Sequence, residues 1–443
     1  MKLSPISSSG YYLFHFCLLL ITSTTLSKSN LQPKTLFLLV KKDPTSLQYI
    51  TQIHQRTPLV PLKLALHLGG ESLWVDCERG FKSSTYKPGR CGSTPCNLAR
   101  STGCGNCLTE NNTRPGCNNN ACYNVVSNPV TSAEGEIAED VLSIQSINGS
   151  IPGPVVTVPR FIFSCSTTSN LTHNLGKNVR GMVGFGQQSP VSFATQFALA
   201  FRFSRRFAIC LSSSTKRNGV IFIGHSPYFF SLAFDASRDL IYTPIITQPR
   251  YVSITYPHYV RINRASPEYY IQVSSVRING KNLPLNKTLL SLDENEEGGT
   301  RISTAVPYTE LEPSIYSVVS KAFVSEMPKE VNTVPAVQPF KTCFNSTYIG
   351  VSRLGYNAPE INLVFHKPNV YWTIIGANSL VKVSDGVICL AFVERSKASG
   401  QAIVIGGYQM QDNLVEFDLS RNRIGFSNSL YFRQTMCSNH NYA

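Results

Sequence analysis

Two short stretches of this chain set a reactive side chain near a pair of glycines. The first is His67-Leu68-Gly69-Gly70-Glu71-Ser72-Leu73-Trp74-Val75-Asp76-Cys77, and the second is Gly298-Gly299-Thr300-Arg301-Ile302-Ser303-Thr304-Ala305-Val306. An imidazole and a hydroxyl can act as base and nucleophile. Such a pair needs a third group to orient the base and donors to hold an oxyanion, and the sequence around His67 and Ser303 supplies neither. Asp76, beside Trp74, is the obvious alternative acid. It belongs to the strand beyond the turn, where side-chain alternation cannot bring it to the place of His67, and a structural role is expected for it. Cys104-x-x-Cys107 has the spacing of two zinc ligands, yet no His is interspersed among the neighbouring cysteines, which favours disulfides over a metal.

The elements that must position these residues are mostly strands. Short β-type runs recur between Gly, Pro and Asn punctuation: Val155–Val158, Phe161–Cys165, Gly219–Ile223, Tyr269–Ile278 and Ala402–Ile405. Helical spacing is confined to Pro190–Phe201 and Pro313–Glu326. Gly219–Gly224 and Ala402–Gly406 are similar strand-plus-Gly endings, with Gly181–Gly186 and Val370–Ala377 as a weaker pair. The expectation is a duplicated, mostly β architecture, with its connection near residues 225–260, which show no clear periodicity. A chain of 443 residues is long enough for two lobes of about 200 residues, each with its own core.

Lys2 precedes an apolar stretch, Tyr11 to Ile21, followed by the small, mostly polar run Thr22–Ser27. The run is too short to span a bilayer and reads as a signal peptide over residues 1–27, and no later segment reaches transmembrane length. A secreted, extracellular protein is expected. With Cys17 in the leader, twelve of the 13 cysteines remain, an even number suited to an oxidising compartment. Six of them, Cys91, Cys96, Cys104, Cys107, Cys117 and Cys122, crowd into one stretch whose connectivity the sequence leaves open; Cys77, Cys165, Cys210, Cys343, Cys389 and Cys437 complete the set. Asn111, Asn148, Asn170, Asn286 and Asn345 head glycosylation sequons and should lie on the surface. The formal charge is +14, from dispersed basic residues. For a secreted chain this disfavours nucleic acid as a partner and suits an acidic protein cleft or a polyanionic cell-wall polysaccharide. No cofactor or metal is expected.

The two Gly-Gly stretches, Gly181-Met-Val-Gly-Phe-Gly186 with Pro190–Phe197, and the long run Gly406–Phe426 together resemble pepsin-like aspartic proteases across nearly all of the mature length. The implied fold is mostly β and bilobal with a few short helices, with lobes over 28–240 and 241–443. Within that superfamily the chain is most similar to the plant extracellular dermal glycoprotein, basic 7S globulin and xylanase-inhibitor group. Trp74-Val-Asp-Cys77, Pro115-Gly-Cys117, Glu136–Leu142, Phe163-Ser-Cys165 and Gly298–Thr304 are the phrases that carry the likeness.

The resemblance places His67 and Ser303 at the two catalytic Asp positions. An aspartic protease needs two carboxylates that share one proton, and an imidazole with a hydroxyl cannot reproduce that state. The segment matching the flap, Ser127–Gly135, lacks the family's Tyr. A catalytically inactive homologue is therefore implied. The group is known for inhibitors of microbial wall-degrading glycoside hydrolases and for a seed globulin that binds a small peptide, and both roles carry over as expectations; a residual aspartic endopeptidase is the third. An inhibitor would meet two carboxylates in its target's cleft. Lys329, Arg395 and Lys397, in loops comparable to those the resembled inhibitors use, are the candidate cations to bond them. By the same resemblance, Cys343 and Cys389 should form a bridge in the second lobe.

Overall fold

Strand Tyr49–Gln55 buries Tyr49, Thr51, Ile53 and Gln55 while Gln52 and His54 face water. This alternation gives a sheet one packed face and one wet face. On either side it pairs antiparallel with Thr35–Lys42 and Val60–His67. Val60–His67 then runs parallel to Gly181–Gly184, with Gly184 opposite His67. The second half repeats the arrangement: Thr300–Ile302, which leads into Ser303, runs parallel to Ile403–Ile405. The result is the expected mostly β, bilobal pepsin-like fold.

The structure, a computed structural model, describes residues 33–107, 113–230, 234–247, 253–254, 259–260, 265–396 and 400–440. These belong to a compact unit that begins at Pro33. The leader assigned to residues 1–27, Asn111 and Lys397 lie outside the described residues.

The internal repeat is matched differently from the sequence expectation. The counterpart of Gly181–Gly184 is Ile403–Ile405, because both run parallel to the strand that enters a turn. Gly219–Gly224, expected to match Ala402–Gly406, instead pairs antiparallel with Thr35–Lys42 and Arg206–Cys210. Val370–Ala377 contributes Tyr371–Ile374, which pairs with Ile361–Val364. An apolar run closed by Gly does not encode the direction of its partner, and that is why the likeness misled. Tyr269–Ile278 is likewise two strands: Tyr269–Ile271 pairs with Thr300–Ile302, and Ser275–Ile278 pairs with Ile361–Val364.

The two halves are stitched together by the terminal hairpin. Leu414–Asp418 pairs with Arg206–Cys210, and Arg423–Phe426 pairs with Ile241–Ile246, a strand inside the stretch that showed no periodicity. The boundary expected between 240 and 241 falls just before that strand. Beneath it Phe207 stacks on Phe417 with ring centroids 4.6 Å apart, and Tyr269 meets Phe417 edge-on at 4.6 Å. Helix Phe193–Phe201 buries Phe193, Ala194, Phe197 and Ala198 at one-turn spacing. Helix Pro313–Glu326 starts with Pro at its first turn and Glu312 accepting from the amides of Ser314 and Ile315.

All twelve cysteines pair. The crowded six form Cys91–Cys104, Cys96–Cys122 and Cys107–Cys117, so Cys104 and Cys107 are in separate bridges. Cys77–Cys165, Cys210–Cys437 and the anticipated Cys343–Cys389 complete the set. Asn148, Asn170 and Asn286 are exposed and Asn345 is half-buried. Among the described residues no helix is long and apolar enough to cross a membrane.

Candidate functional site

The two turns meet at the centre of the fold. The Thr304 hydroxyl donates to the Leu66 carbonyl at 3.0 Å and accepts from the Leu68 amide at 3.2 Å, so it grips the residues on either side of His67. The first turn has Leu68 after His67 where the second has Thr304 after Ser303, so a side-chain hydroxyl reaches across from the second turn alone. The first turn is held from below: the Phe185 amide bonds the His67 carbonyl at 3.1 Å and the Gly186 amide bonds the Gly70 carbonyl at 2.8 Å. Only glycine fits at 184, since a Cβ there would lie 2.4 Å from the Gly70 carbonyl oxygen.

His67 and Ser303 both lie at this junction, but no hydrogen bond joins them among the described residues. The Ser303 hydroxyl is buried and accepts from the Ala305 amide at 3.1 Å, while its own amide donates to the Ile405 carbonyl at 2.9 Å. It shapes its turn. Burial pushes the His67 imidazole below its ordinary pKa of 6.5, an effect opposed by the Glu268 carboxylate and reinforced by Arg301. A neutral imidazole is what this site favours.

Glu268 is the cleft residue that sequence reading missed. It precedes strand Tyr269–Ile271 and lays its carboxylate over the first turn, where a Cβ on Gly69 would come within 2.2 Å of its Oε2. Arg301, two residues before Ser303, bonds it at 3.0 Å. The Gln187 side chain holds the Glu268 carbonyl at 2.5 Å. The Glu268 carboxylate is therefore committed to a guanidinium. Nothing local in the sequence signals it, because Arg301 is 33 residues along the chain and the first turn is nearly two hundred away.

A cavity of about 240 Å³ opens beside His67, walled by Glu71, Trp74, Val125, Met182 and Glu268. Glu71 lies beyond the two glycines from His67, and neither dyad position holds a carboxylate. The paired acids that would activate water and protonate a peptide carbonyl are absent from their places. The flap is altered in kind. Its hairpin joins Ala121–Ser127 to Ser132–Asn148. At the tip, the Asn128 side chain accepts from the amides of Val130 and Thr131 and donates to the carbonyls of Leu171 at 2.8 Å and His173 at 3.1 Å. The Trp74 indole donates to the Ser127 carbonyl at 3.1 Å. These bonds tie the hairpin to the body.

Asp76 is structural: it accepts from the Glu78 amide at 3.0 Å and pairs with Arg79 at 3.1 Å and Arg180 at 3.5 Å. Of the candidate cations, Lys329 is exposed. Arg395 is not a free loop cation. Its side chain is 19% exposed, its guanidinium bonds the Gln401 carbonyl of its own loop, and it approaches Glu310 at 3.9 Å. Among the described residues no cluster of His, Cys, Asp and Glu could hold a metal.

The parallel ladders, the two joined turns and the hairpin over them define a pepsin-like protein whose catalytic positions hold no acid. Residues 49–225 match the family described as xylanase inhibitor N-terminal, and residues 268–428 match xylanase inhibitor C-terminal. The chain belongs to this xylanase-inhibitor-like family. It is 46% identical over 430 residues to "Probable aspartic proteinase GIP2" of Nicotiana benthamiana, covering 96% of each chain. Gamma conglutin 1 of Prunus dulcis is 41% identical, with 97% of this chain and 96% of the relative covered. Basic 7S globulin of Glycine max is 35% identical, with 88% and 87% covered. Among solved structures, the crystal structure of edgp superposes with a TM-score of 0.88 at 46% identity, covering 93% of this chain and 99% of that one.

Proposed function

We propose that this protein is secreted to the cell wall, has no proteolytic activity, and inhibits a microbial glycoside hydrolase that degrades that wall, a xylanase or a xyloglucan endoglucanase. The observation that carries the reading is the family match over both halves of a chain whose dyad positions are His67 and Ser303. Evolution of a binding role on a protease scaffold uses the loops and leaves the cleft idle. In this reading Lys329 and Lys397 are the cations offered to the target's carboxylates, while Arg395 is held by the Gln401 carbonyl. The five sequons, from Asn111 to Asn345, carry glycans in the mature protein.

The test is inhibition of a panel of xylanases and xyloglucan- and glucan-cleaving endoglucanases from plant pathogens. Wild-type protein should inhibit at least one. Lys329→Ala with Lys397→Ala should speed dissociation, because removing a buried interfacial cation typically costs roughly 2–5 kcal/mol. A wild-type protein that binds none of the panel would sink this reading. The likeness to gamma conglutin and basic 7S globulin would then favour a peptide-binding or storage protein. The name of the Nicotiana relative prompts a third reading, residual aspartic endopeptidase activity, and His67 and Ser303 weigh against it.

A further inference from the structure

Away from the cleft, a surface pocket of about 510 Å³ is lined by four lysines, Lys41, Lys42, Lys63 and Lys177. The sheet register explains the grouping. Lys41 lies opposite Ile50, and Gln52 lies opposite Lys63, so Lys41 and Lys63 flank the middle strand on its wet face. Lys177 arrives from a loop that is held in place over the same strand. Gln48 accepts from the Gly176 amide at 3.3 Å and donates to the Asn174 carbonyl at 3.2 Å, and the Arg180 amide bonds the Lys63 carbonyl at 2.9 Å.

Lys41, Lys63 and Lys177, brought to one face, repel one another and need counter-charge. None of these three forms an ion pair among the described residues. Asp43 is the one acid in the lining; the amides of Thr45 and Ser46 and the Ser46 hydroxyl all donate to its Oδ2, and it sets a single negative charge against three lysines. Lys42 alternates to the buried face of the same strand, its amine 5.4 Å from the Tyr408 ring centroid, where burial lowers its pKa to about 8 against the opposing pull of Asp412. The rest of the wall offers the side-chain amides of Gln52, Asn178 and Asn218 over a floor that includes Leu39 and Ile50. Amides suit hydroxyls, and small apolar patches suit the faces of pyranose rings.

We propose that this pocket binds a uronic-acid oligosaccharide, with its carboxylates on the lysines and its hydroxyls on the amides. Concavity and the amide lining favour a sugar acid over an acidic protein surface, which would need a broad, flat contact. The site is separate from hydrolase inhibition and stands or falls independently of it.

The experiment is calorimetric titration of the mature protein with a de-esterified oligogalacturonate, its methyl-esterified counterpart and poly-glutamate, at low and physiological salt. Binding to the de-esterified sugar should exceed that of the ester by roughly tenfold and weaken as salt rises. Lys63→Glu with Lys177→Glu should weaken it by about tenfold or more, and Lys63→Gln with Lys177→Gln by less. Lys321→Glu, exposed on helix Pro313–Glu326, should change nothing. Equal binding of the ester, unchanged affinity in both double variants, or tighter binding of poly-glutamate than of the sugar acid would overturn the proposal. Thermal unfolding of each variant confirms that it is folded.

Discussion

Thr304→Val tests whether one hydroxyl couples the two halves of the molecule. The substitution keeps the side chain's shape and removes an oxygen that donates to the Leu66 carbonyl at 3.0 Å and accepts from the Leu68 amide at 3.2 Å. Thr304 is 3% exposed, so water cannot replace it. An unmet buried amide costs about 1–3 kcal/mol, and the carbonyl, which keeps a second lone pair, costs less. The expected loss is about 2–3 kcal/mol. Thr304→Ser keeps both bonds and removes one methyl, a loss of about 1 kcal/mol. Denaturant unfolding followed by tryptophan emission reads both halves, because the chain has two tryptophans and both Trp74 and Trp372 are buried. Stability of Thr304→Val equal to that of Thr304→Ser would refute the coupling.

Three further outcomes are expected. His67 should titrate below 6.5 in an imidazole NMR experiment; the folded state then binds fewer protons than the unfolded, so its contribution is present above 6.5 and is lost as pH falls through the folded pKa, a dependence that His67→Gln should remove and a His67 pKa above 6.5 would contradict. Asn128→Ala should speed amide exchange across residues 125–135 by about tenfold or more without global unfolding, and unchanged exchange would show that the flap is held by other bonds. Asp418 is buried and receives Arg206 at 2.9 Å, Arg423 at 3.3 Å and Arg421 at 3.7 Å. Asp418→Asn should cost about 3 kcal/mol in thermal or denaturant unfolding, since it leaves Arg206 with Glu416 alone at 3.7 Å, and a loss within error would show that Glu416 suffices.

What the sequence made legible was local or periodic. Helix Pro313–Glu326 begins and ends where its Pro and its apolar spacing placed it. Gly181–Gly184 was found through its likeness to a pepsin-like motif, and the structure supplies the reason for its glycine, since a Cβ at 184 would meet the Gly70 backbone. His67 and Ser303 were found through the Gly-Gly stretches around them. What stayed hidden depends on chain segments far apart. Glu268 reaches Gly69 from nearly two hundred residues away. Lys41, Lys63 and Lys177 look dispersed in the chain and are gathered only by the register of three strands and the anchoring of one loop. Arg395 read as a free cation because nothing in its sequence neighbourhood signals the fold-back onto Gln401 and Glu310.

In the proposed reading, the cleft between the two turns keeps the protease architecture without its chemistry. The direct measurement is digestion of a denatured protein substrate at low pH by the purified mature chain, with and without the pepsin inhibitor pepstatin. No cleavage above background and no binding of pepstatin are expected. Cleavage that pepstatin blocks and that His67→Ala abolishes would contradict that reading.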